Sequence, residues 1–257
     1  MADPQSFAGK TVVVTGAGRG LGLAMARRFG AAGAHVVVAE FEAERGRQAA
    51  ADLRQAGAAA SFEPLDVRDP AQSMALVQRV AARQGAIDVW VNNAGVQHIA
   101  PAEDLPTAAW DNLLAVLLSG TFYCSQAAGR HMLERGRGVI INVASGAAYV
   151  AAEGRAAYST AKAGVVMLTQ ALGIEWARRG VRVVGVAPSA ALTDLMQSVF
   201  DAGQASPEAL MRRTPLGRLA TVEEVAEAVA YLASDQASYV VAETLRVDGG
   251  FVAYQLF

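Results

Sequence analysis

The chain has 257 residues, of which 53% are hydrophobic and 18% charged, and its formal net charge is −2. This is a globular composition with enough apolar material for a core, and the lack of a basic block argues against nucleic acid or an anionic membrane as partner. The single cysteine, Cys124, excludes an intramolecular disulfide. The start carries no secretory signal, and no apolar run reaches the ~18 residues of a membrane span, so we expect a cytoplasmic protein without membrane contact.

Short β-branched runs alternate with helical patterns along the chain. The runs are TVVVT at 11–15, HVVVA at 35–39, DVWVN at 88–92, VIINV at 139–143, RVVGVA at 182–187 and TLRV at 244–247. Segments rich in Ala, Leu, Glu and Arg lie between them, at 20–32, 42–56, 70–84, 107–135, 157–179 and 222–234. Most runs are apolar on both faces, as are parallel strands covered by helices on both sides. The pattern predicts a single α/β domain over residues 1–257 with a doubly wound sheet.

A glycine loop, TGAGRGLG, follows the first run. Gly16, Gly20 and Gly22 fit the spacing G-x-x-x-G-x-G, whereas the third glycine of G-x-G-x-x-G is missing. Glycines let backbone N–H groups approach a pyrophosphate, whose charge the N-terminus of the next helix stabilises. The alternative is a turn that merely uses glycine. Its position between an apolar strand and an amphipathic helix favours dinucleotide binding, and we assign Arg19 and Leu21 to the same site.

The second strand is expected to end at Glu40, about 20 residues after the glycines, where an acid hydrogen-bonds the ribose of the adenosine half. A carboxylate there repels the 2′-phosphate of NADP, whereas Arg19 would attract it. We give Glu40 more weight because its charge acts in a partly desolvated pocket and because Phe41, next along, supplies no cation. The expected cofactor is NAD, with NADP as the alternative.

Two further segments follow predicted strands, LDVRD at 65–69 and NNAG at 92–95. Asp66 could receive the adenine amino group or cap the next helix, although Asp69 before Pro70 suits the cap better. Asparagines bind backbone groups in turns, so a structural role competes with cofactor binding in NNAG. The residues that we assign to the cofactor from these segments are Asp66, Val67, Asn93, Ala94 and Gly95.

The stretch RAAYSTAK at 155–162 places Tyr158 and Lys162 one turn apart on one face of a helix. A free tyrosine has a pKa near ~10 and is a poor acid or base at neutral pH, but a nearby cation lowers that pKa. The pair is therefore either a device for proton transfer or an ordinary amphipathic surface pair. The spacing is common by chance and leaves both interpretations open.

Taken in order, these motifs resemble those of the classical short-chain dehydrogenase/reductase family. The matching stretches run from about Lys10 to Phe251 and are TGAGRGLG, LDV, NNAG, NVAS, YSTAK, VAPSAALT and LRVDGG. The resemblance implies a Rossmann fold with a seven-stranded parallel sheet, a homotetramer, and hydride transfer between NAD(P) and an alcohol or ketone.

The resemblance also implies roles for individual residues. Tyr158 would be the general base in alcohol oxidation and the acid in ketone reduction, and Lys162 would lower its pKa and hold the nicotinamide ribose. Ser145 would polarise the substrate oxygen, and its register with the tyrosine favours this over a small turn residue. Thr193, with Ala191 in the same motif, would contact the cofactor. We assign no residue to a metal site.

The sequence departs from the family pattern at three positions. Leu117 stands where the family has an asparagine whose backbone carbonyl holds a water that links the lysine to solvent. Without the amide side chain, the unwound turn there is expected to close into regular helix, and our hypothesis is an active enzyme with an altered proton exit. Val184 replaces an asparagine, and Ser189 replaces a glycine after the proline, which adds a Cβ near the nicotinamide.

For the substrate, NNAGVQHIAPAEDLP resembles the corresponding stretch of 3-hydroxybutyrate dehydrogenases. That resemblance assigns Gln97 to a substrate carboxylate and places Arg155 where those enzymes have a lysine, while Ala147 replaces their histidine. A cationic fork at 155 suits a carboxylate. We expect a small hydroxy acid or another polar secondary alcohol, with polyols and cyclic alcohols still open. The segment 189–215 breaks the alternation and is expected to be a substrate loop or lid. Its apolar residues suggest a lid with one apolar face or, more simply, the packed side of a short helix: Leu192, Leu195, Met196 and Phe200.

Two rival functions remain open at this point. The first is an NADPH-dependent ketone or ketoacyl reductase, favoured by Arg19 and opposed by Glu40. The second belongs to another class: a nucleotide-binding scaffold or sensor without turnover, suggested by Leu117 and Ser189. The presence of Ser145, Tyr158 and Lys162 together argues against the second.

Overall fold

The computed structural model describes residues 6–254, apart from the side chains of residues 194 and 195. Within this range the strands form one seven-stranded sheet in the order β3-β2-β1-β4-β5-β6-β7, and each neighbouring pair is parallel. The strands are β1 Thr11–Thr15, β2 His35–Glu40, β3 Ala59–Pro64, β4 Val89–Asn92, β5 Gly138–Val143, β6 Val181–Pro188 and β7 Thr244–Val247. The predicted doubly wound sheet is confirmed. Strand β3, AASFEP, has no β-branched run, so the pattern of such runs does not reveal it.

The helices lie close to the predicted segments. They are α1 Gly20–Ala31, α2 Ala43–Gln55, α3 Pro70–Gln84, α4 Thr107–Leu114, α5 Gly120–Arg135, α6 Ala156–Trp176, α7 Asp194–Asp201, α8 Pro207–Arg213 and α9 Val222–Ala233. The segment 189–215 contains α7, where the apolar spacing suggested a short helix, and also α8. Within residues 6–254 no helix is long and apolar enough to cross a membrane.

The two faces of the sheet bury separate clusters of side chains. Along β1, Val12 and Val14 face the layer of α1, α2 and α9, whereas Val13 faces α3, α5 and α6. Because both faces are covered, the central strands read as continuous apolar runs rather than as alternating ones. Val184, one of the departures from the family pattern, lies fully buried in the first cluster and packs there as an ordinary core residue.

The predicted helix 107–135 is interrupted by a π-helical turn, Ala115–Ser119, in which the N–H of Gly120 bonds the carbonyl of Ala115. The expectation that the turn at Leu117 closes into regular helix is therefore wrong. The Leu117 carbonyl has a partner that needs no amide at residue 117, because the hydroxyl of Thr121 donates to it at 2.8 Å.

Candidate active site

A cavity of about 520 Å³ lies at the carboxyl edge of the sheet, within the usual range for a ligand pocket. The carboxyl ends of parallel strands in a doubly wound sheet are where such folds bind ligands. The residues that the sequence assigned to the cofactor all lie on its wall: Gly16, Arg19, Gly20, Leu21, Gly22, Glu40, Asp66, Val67, Asn93, Ala94, Gly95, Tyr158, Lys162, Ala191 and Thr193. Ser145 and Gln97 also line it, whereas Arg155 is not part of its wall.

The glycine loop packs tightly against the loop that follows β4. Gly16 has φ +64°, and a Cβ there would lie 2.8 Å from the Cα of Ala94, while a Cβ at Gly22 would overlap the Gly16 carbonyl. The side-chain amide of Asn93 donates to the carbonyls of Thr15 and Gly16 at 3.0 and 3.2 Å. The side chain of Asn93 thus has the structural role that the sequence left open, and it holds the loop beside the cavity.

The N-terminus of α1 fits the pyrophosphate of a dinucleotide. Its N-cap residue, Arg19, makes no side-chain capping bond within the described chain, so side chains leave the first N–H groups of the helix uncapped. Gly20 has φ +54°, and a Cβ there would meet only Thr193, at 3.5 Å or more. Uncapped N–H groups at a helix N-terminus next to open space are the usual arrangement for binding phosphate.

Glu40 is held as a hydrogen-bond acceptor at the end of β2. Its Oε2 accepts from the N–H of Gly18 at 3.0 Å, and its Oε1 accepts from the N–H groups of Phe41 and Glu42 at 3.0 and 3.2 Å. A Cβ at residue 18 would lie 2.7 Å from Oε2, which explains the glycine there. The guanidinium of Arg45 is 3.8 Å away. A buried carboxylate therefore faces the cavity in one fixed orientation.

Asp66 pairs with Arg68 rather than capping α3. Two nitrogens of the guanidinium contact the carboxylate at 2.7 to 3.1 Å, and this hydrogen bonding is the main reason that the pKa of Asp66 lies below its usual value. The cap of α3 is Asp69, whose carboxylate accepts from the N–H groups of Ala71 and Gln72. Asp69, and not Asp66, therefore caps α3.

The cavity wall also includes residues to which the sequence gave no role in binding, among them Phe41, Arg68 and Asn112. The guanidinium of Arg68 lies 5.7 Å from the centre of the Phe41 ring and donates to the side-chain oxygen of Asn112 at 3.2 Å. They come from the loops that follow β2 and β3 and from α4, and they meet only in the fold, so no local motif could have revealed them. The only signal was a cation two residues after Asp66.

The proton-transfer candidates meet at the other end of the cavity. Ser145 follows β5, and its hydroxyl oxygen accepts from the N–H of Ala147 at 3.1 Å, which leaves its own proton free to donate. The ammonium of Lys162 donates to the carbonyl of Val143 at 2.6 Å and lies 5.8 Å from the centre of the Tyr158 ring. Burial lowers the pKa of Lys162 to about 8.

Burial raises the pKa of Tyr158 above that of a free phenol, and the neighbouring Ser145 hydroxyl and the charge of Arg155 only partly oppose this. Desolvation of the phenolate is the largest effect on Tyr158, and the ammonium of Lys162 is bonded to Val143. That Lys162 lowers the pKa of Tyr158 stays a prediction.

Arg155 lies at the N-cap of α6, three residues before Tyr158. Its side chain is half-buried, burial lowers its pKa, and no carboxylate pairs with it among residues 6–254. A desolvated guanidinium without a counter-ion favours an anion brought by another molecule. It stands beside the proton-transfer group although it does not line the cavity itself.

The segment 189–215 borders the mouth of the cavity through Ser189, Ala191, Thr193 and Met196. The hydroxyl of Thr193 accepts from the N–H of Met196 at 3.1 Å and so caps α7. At the far end of the segment, the guanidinium of Arg213 stacks over the ring of Phe251 at 4.5 Å. This contact connects α8 to the turn that follows β7.

Comparisons with known proteins agree with this arrangement. A family model described as enoyl-(acyl carrier protein) reductase matches residues 16–252. A D-threitol dehydrogenase of Mycolicibacterium smegmatis is 42% identical over 243 residues, covering 95% of this chain and 93% of that protein. A cis-4-hydroxycyclohexanecarboxylate dehydrogenase of Sinomonas cyclohexanicum is 43% identical over 250 residues, covering 97% and 99%. The crystal structure of a gluconate 5-dehydrogenase from Burkholderia cenocepacia, in complex with NADP and tartrate, aligns with a TM-score of 0.94 at 37% identity and covers 99% of both chains.

Proposed function

The chain belongs to the classical short-chain dehydrogenase/reductase family, and from this premise we propose that it transfers a hydride between NAD(H) and a small polar secondary alcohol or ketone. The observation that carries the proposal is that one cavity has a helix N-terminus and Glu40 at one end and Ser145, Tyr158 and Lys162 at the other. Its volume of about 520 Å³ and its lining suit a dinucleotide whose reactive ring would lie beside the phenol.

A bound nicotinamide supplies the hydride acceptor in oxidation and the hydride donor in reduction. In oxidation, the phenolate form of Tyr158 accepts the hydroxyl proton of the substrate at its Oη and becomes the phenol, while Ser145 donates a hydrogen bond to the substrate oxygen. Lys162 has a pKa of about 8 and can lose and regain a proton near neutral pH, which suits the passage of that proton towards solvent. In ketone reduction, Tyr158 gives the proton back.

The preference for NAD rests on Glu40. Three backbone N–H groups hold its carboxylate, so it cannot turn away to make room for a 2′-phosphate. A phosphate placed beside this buried carboxylate would meet a like charge in a poorly solvated site, which is strongly unfavourable. A ribose with free hydroxyls would instead donate to it.

The alternative is an NADPH-dependent reductase, and specific observations favour it. Arg19, Arg45 and Arg68 all line the cavity around Glu40, and they could together neutralise a 2′-phosphate. The aligned gluconate 5-dehydrogenase was crystallised with NADP. Comparison of kcat/KM with the two oxidised cofactors distinguishes these proposals in one assay.

For the substrate we propose a secondary alcohol that carries a carboxylate. Arg155 is half-buried, has no carboxylate partner among residues 6–254, and lies one helical turn before Tyr158. Gln97, on the cavity wall, would donate to the same group. The names of two relatives contain a hydroxycarboxylate, gluconate in one and hydroxycyclohexanecarboxylate in the other. A specific likeness to 3-hydroxybutyrate dehydrogenases rests on Gln97 and Arg155 alone.

The experiment is a substrate panel followed through the absorbance of reduced nicotinamide. It pairs each hydroxy acid, open-chain or cyclic, with an uncharged analogue of the same carbon skeleton, and it includes tetritols. We expect turnover, with kcat/KM higher for the acid of each pair. Faster turnover of the uncharged analogues would reject the proposal that the substrate carries a carboxylate. If no alcohol or ketone were turned over, the result would favour the alternative of a nucleotide-binding scaffold or sensor.

We also propose a homotetramer in the cytoplasm. The outer face of α6 exposes Met167 and Ile174, with 63% and 75% of their surface accessible, and Phe122 on α5 is exposed as well. Apolar side chains of this size on neighbouring helices suit burial against a second copy of the chain. Measurement of the mass in solution tests the assembly.

A further inference from the structure

The π-helical turn Ala115–Ser119 packs against one side of α6, the helix that carries Tyr158 and Lys162. An i→i+5 turn inserts one residue into the helix and leaves carbonyls without the N–H partner that an α-helix gives them. The buried hydroxyl of Thr121 donates to the carbonyl of Leu117 at 2.8 Å. A hydroxyl that bonds the carbonyl four residues earlier bends a helix and competes with its regular pattern. Thr169 makes the same kind of bond in α6 without opening the helix, so the bond of Thr121 is set apart by its place directly after the π-helical turn, where it gives the Leu117 carbonyl a partner.

The turn brings two successive leucines against α6. Leu117 is almost fully buried and packs with Ala157 and Ala161, in a cluster that Tyr158 also contacts. Leu118 covers Gly164, where a Cβ would lie 2.9 Å from the leucine side chain. Each residue of an α-helix is rotated by about 100° from the one before it. If the turn closed into regular helix, the residues beyond it would rotate, and the two leucines could not both keep these contacts.

We infer that Thr121 is a positioning residue for Tyr158: its hydroxyl keeps the turn open, and the open turn seats Leu117 and Leu118 against the face of α6 that carries the phenol. The inference deepens the proposed function and rests on it for its kinetic readout. Thr121 is buried and does not line the cavity, so it acts through these leucines rather than on a ligand.

The test compares Thr121→Val, which keeps the shape and removes the hydroxyl, with Thr121→Ser, which keeps the hydroxyl. The control is Ser73→Ala, because the hydroxyl of Ser73 in α3 bonds the carbonyl of Asp69, four residues earlier, and also contacts the thiol of Cys124 on α5. We expect Thr121→Val to lower kcat by about tenfold to a hundredfold, as displaced catalytic groups do, with KM for NAD unchanged. Thr121→Ser should restore most of the loss, and Ser73→Ala should match the parent.

A second readout does not need turnover. The parent and its variants are labelled at the ring carbon that bears the tyrosine hydroxyl, and the resonance of Tyr158 is assigned by its absence in Tyr158→Phe. We expect Thr121→Val to shift this resonance and Ser73→Ala to leave it in place. If Thr121→Val does not fold, Thr121→Ala takes its place in the same comparison.

The outcomes separate the inference from the proposed function. If the parent turns over no alcohol or ketone, the proposed function fails, and the Tyr158 resonance alone decides the inference. An unmoved resonance in Thr121→Val overturns the inference. So does turnover at the parental rate in that variant, or a Thr121→Ser variant as slow as Thr121→Val.

Discussion

The ammonium of Lys162 donates to the carbonyl of Val143 at 2.6 Å and does not contact the hydroxyl of Tyr158 through any described hydrogen bond. One buried lysine therefore bonds a strand end while its charge remains in a desolvated site. This arrangement carries a cost in stability, which leads to the first prediction.

Replacement of Lys162 by methionine is expected to raise the melting temperature of the cofactor-free protein at pH 7. The change in the pKa of Lys162 from 10.5 to about 8 corresponds to about 3 kcal/mol lost on burial of the charge. Loss of the bond to Val143 offsets about 1 kcal/mol of this. For a chain of this size, each kcal/mol moves the melting temperature by roughly 2–4 °C.

The stability difference between Lys162→Met and the parent depends on pH with a definite sign. Between pH 8 and 10.5 the unfolded chain binds more protons than the folded one, so the parent gains stability as pH rises through this window. Below pH 8 the penalty is fully present. The advantage of Lys162→Met should therefore be constant near neutral pH and shrink towards pH 10.5. A variant less stable than its parent at pH 7 would contradict the account.

Replacement of Glu40 by glutamine is expected to shift the cofactor preference towards NADP. Removal of the negative charge leaves Arg19, Arg45 and Arg68 to attract the 2′-phosphate, and each 1.4 kcal/mol of lost repulsion is worth about tenfold. We expect the ratio of kcat/KM for NADP over NAD to rise by about tenfold to a hundredfold. Glu44→Gln is the control, since Glu44 is exposed on α2 and pairs with Arg47. An equal ratio in both variants would reject the role of Glu40.

Replacement of Arg155 by alanine is expected to raise KM for hydroxy acids by about tenfold to a hundredfold, the effect of one charge-assisted hydrogen bond to a carboxylate. KM for their uncharged analogues should change little. The control is Arg178→Ala, which removes an exposed arginine after the opposite end of α6. If KM for every carboxylate substrate stayed at the parental value, the carboxylate proposal would fall.

Replacement of Leu117 by asparagine tests the altered proton exit. Leu117 lines the cavity together with Lys162, so an amide there can hold water near the ammonium and stabilise its charged form. We expect the limb of the pH–rate profile that reports Lys162 to move above its value of about 8. The open turn itself should persist, because the backbone carbonyl of residue 117 is bonded by the hydroxyl of Thr121 and not by the side chain of residue 117. Superimposable profiles would show that residue 117 has no part in proton exit.

Local sequence patterns predicted much of the fold and the position of the candidate site. The β-branched runs predicted six of the strands, because central parallel strands are apolar on both faces. The glycine loop, Glu40 and the motif around Tyr158 follow strands or begin helices, so their spacing along the chain already indicated one edge of the sheet. Because these motifs share one edge of the sheet, all of them line the same cavity.

The features that the sequence did not predict depend on contacts between distant segments. Arg68 meets Phe41 and Asn112 only after three elements pack together. The direction of the pKa shift of Tyr158 depends on burial, and the sequence spacing between Tyr158 and Lys162 does not reveal how deeply the phenol is buried. The turn at Leu117 is open in the structure, and its carbonyl bonds the hydroxyl of Thr121, a partner that residue 117 alone does not indicate.

The central claim is that the hydroxyl of Tyr158 moves the substrate proton, and the most direct test is the turnover of Tyr158→Phe. General acid–base catalysis contributes about a hundredfold to ten-thousandfold, so kcat should fall by at least that lower factor. NAD affinity should stay near the parental value, because the remaining cavity wall is intact. A phenylalanine variant that turns over its alcohol as fast as the parent would contradict the account.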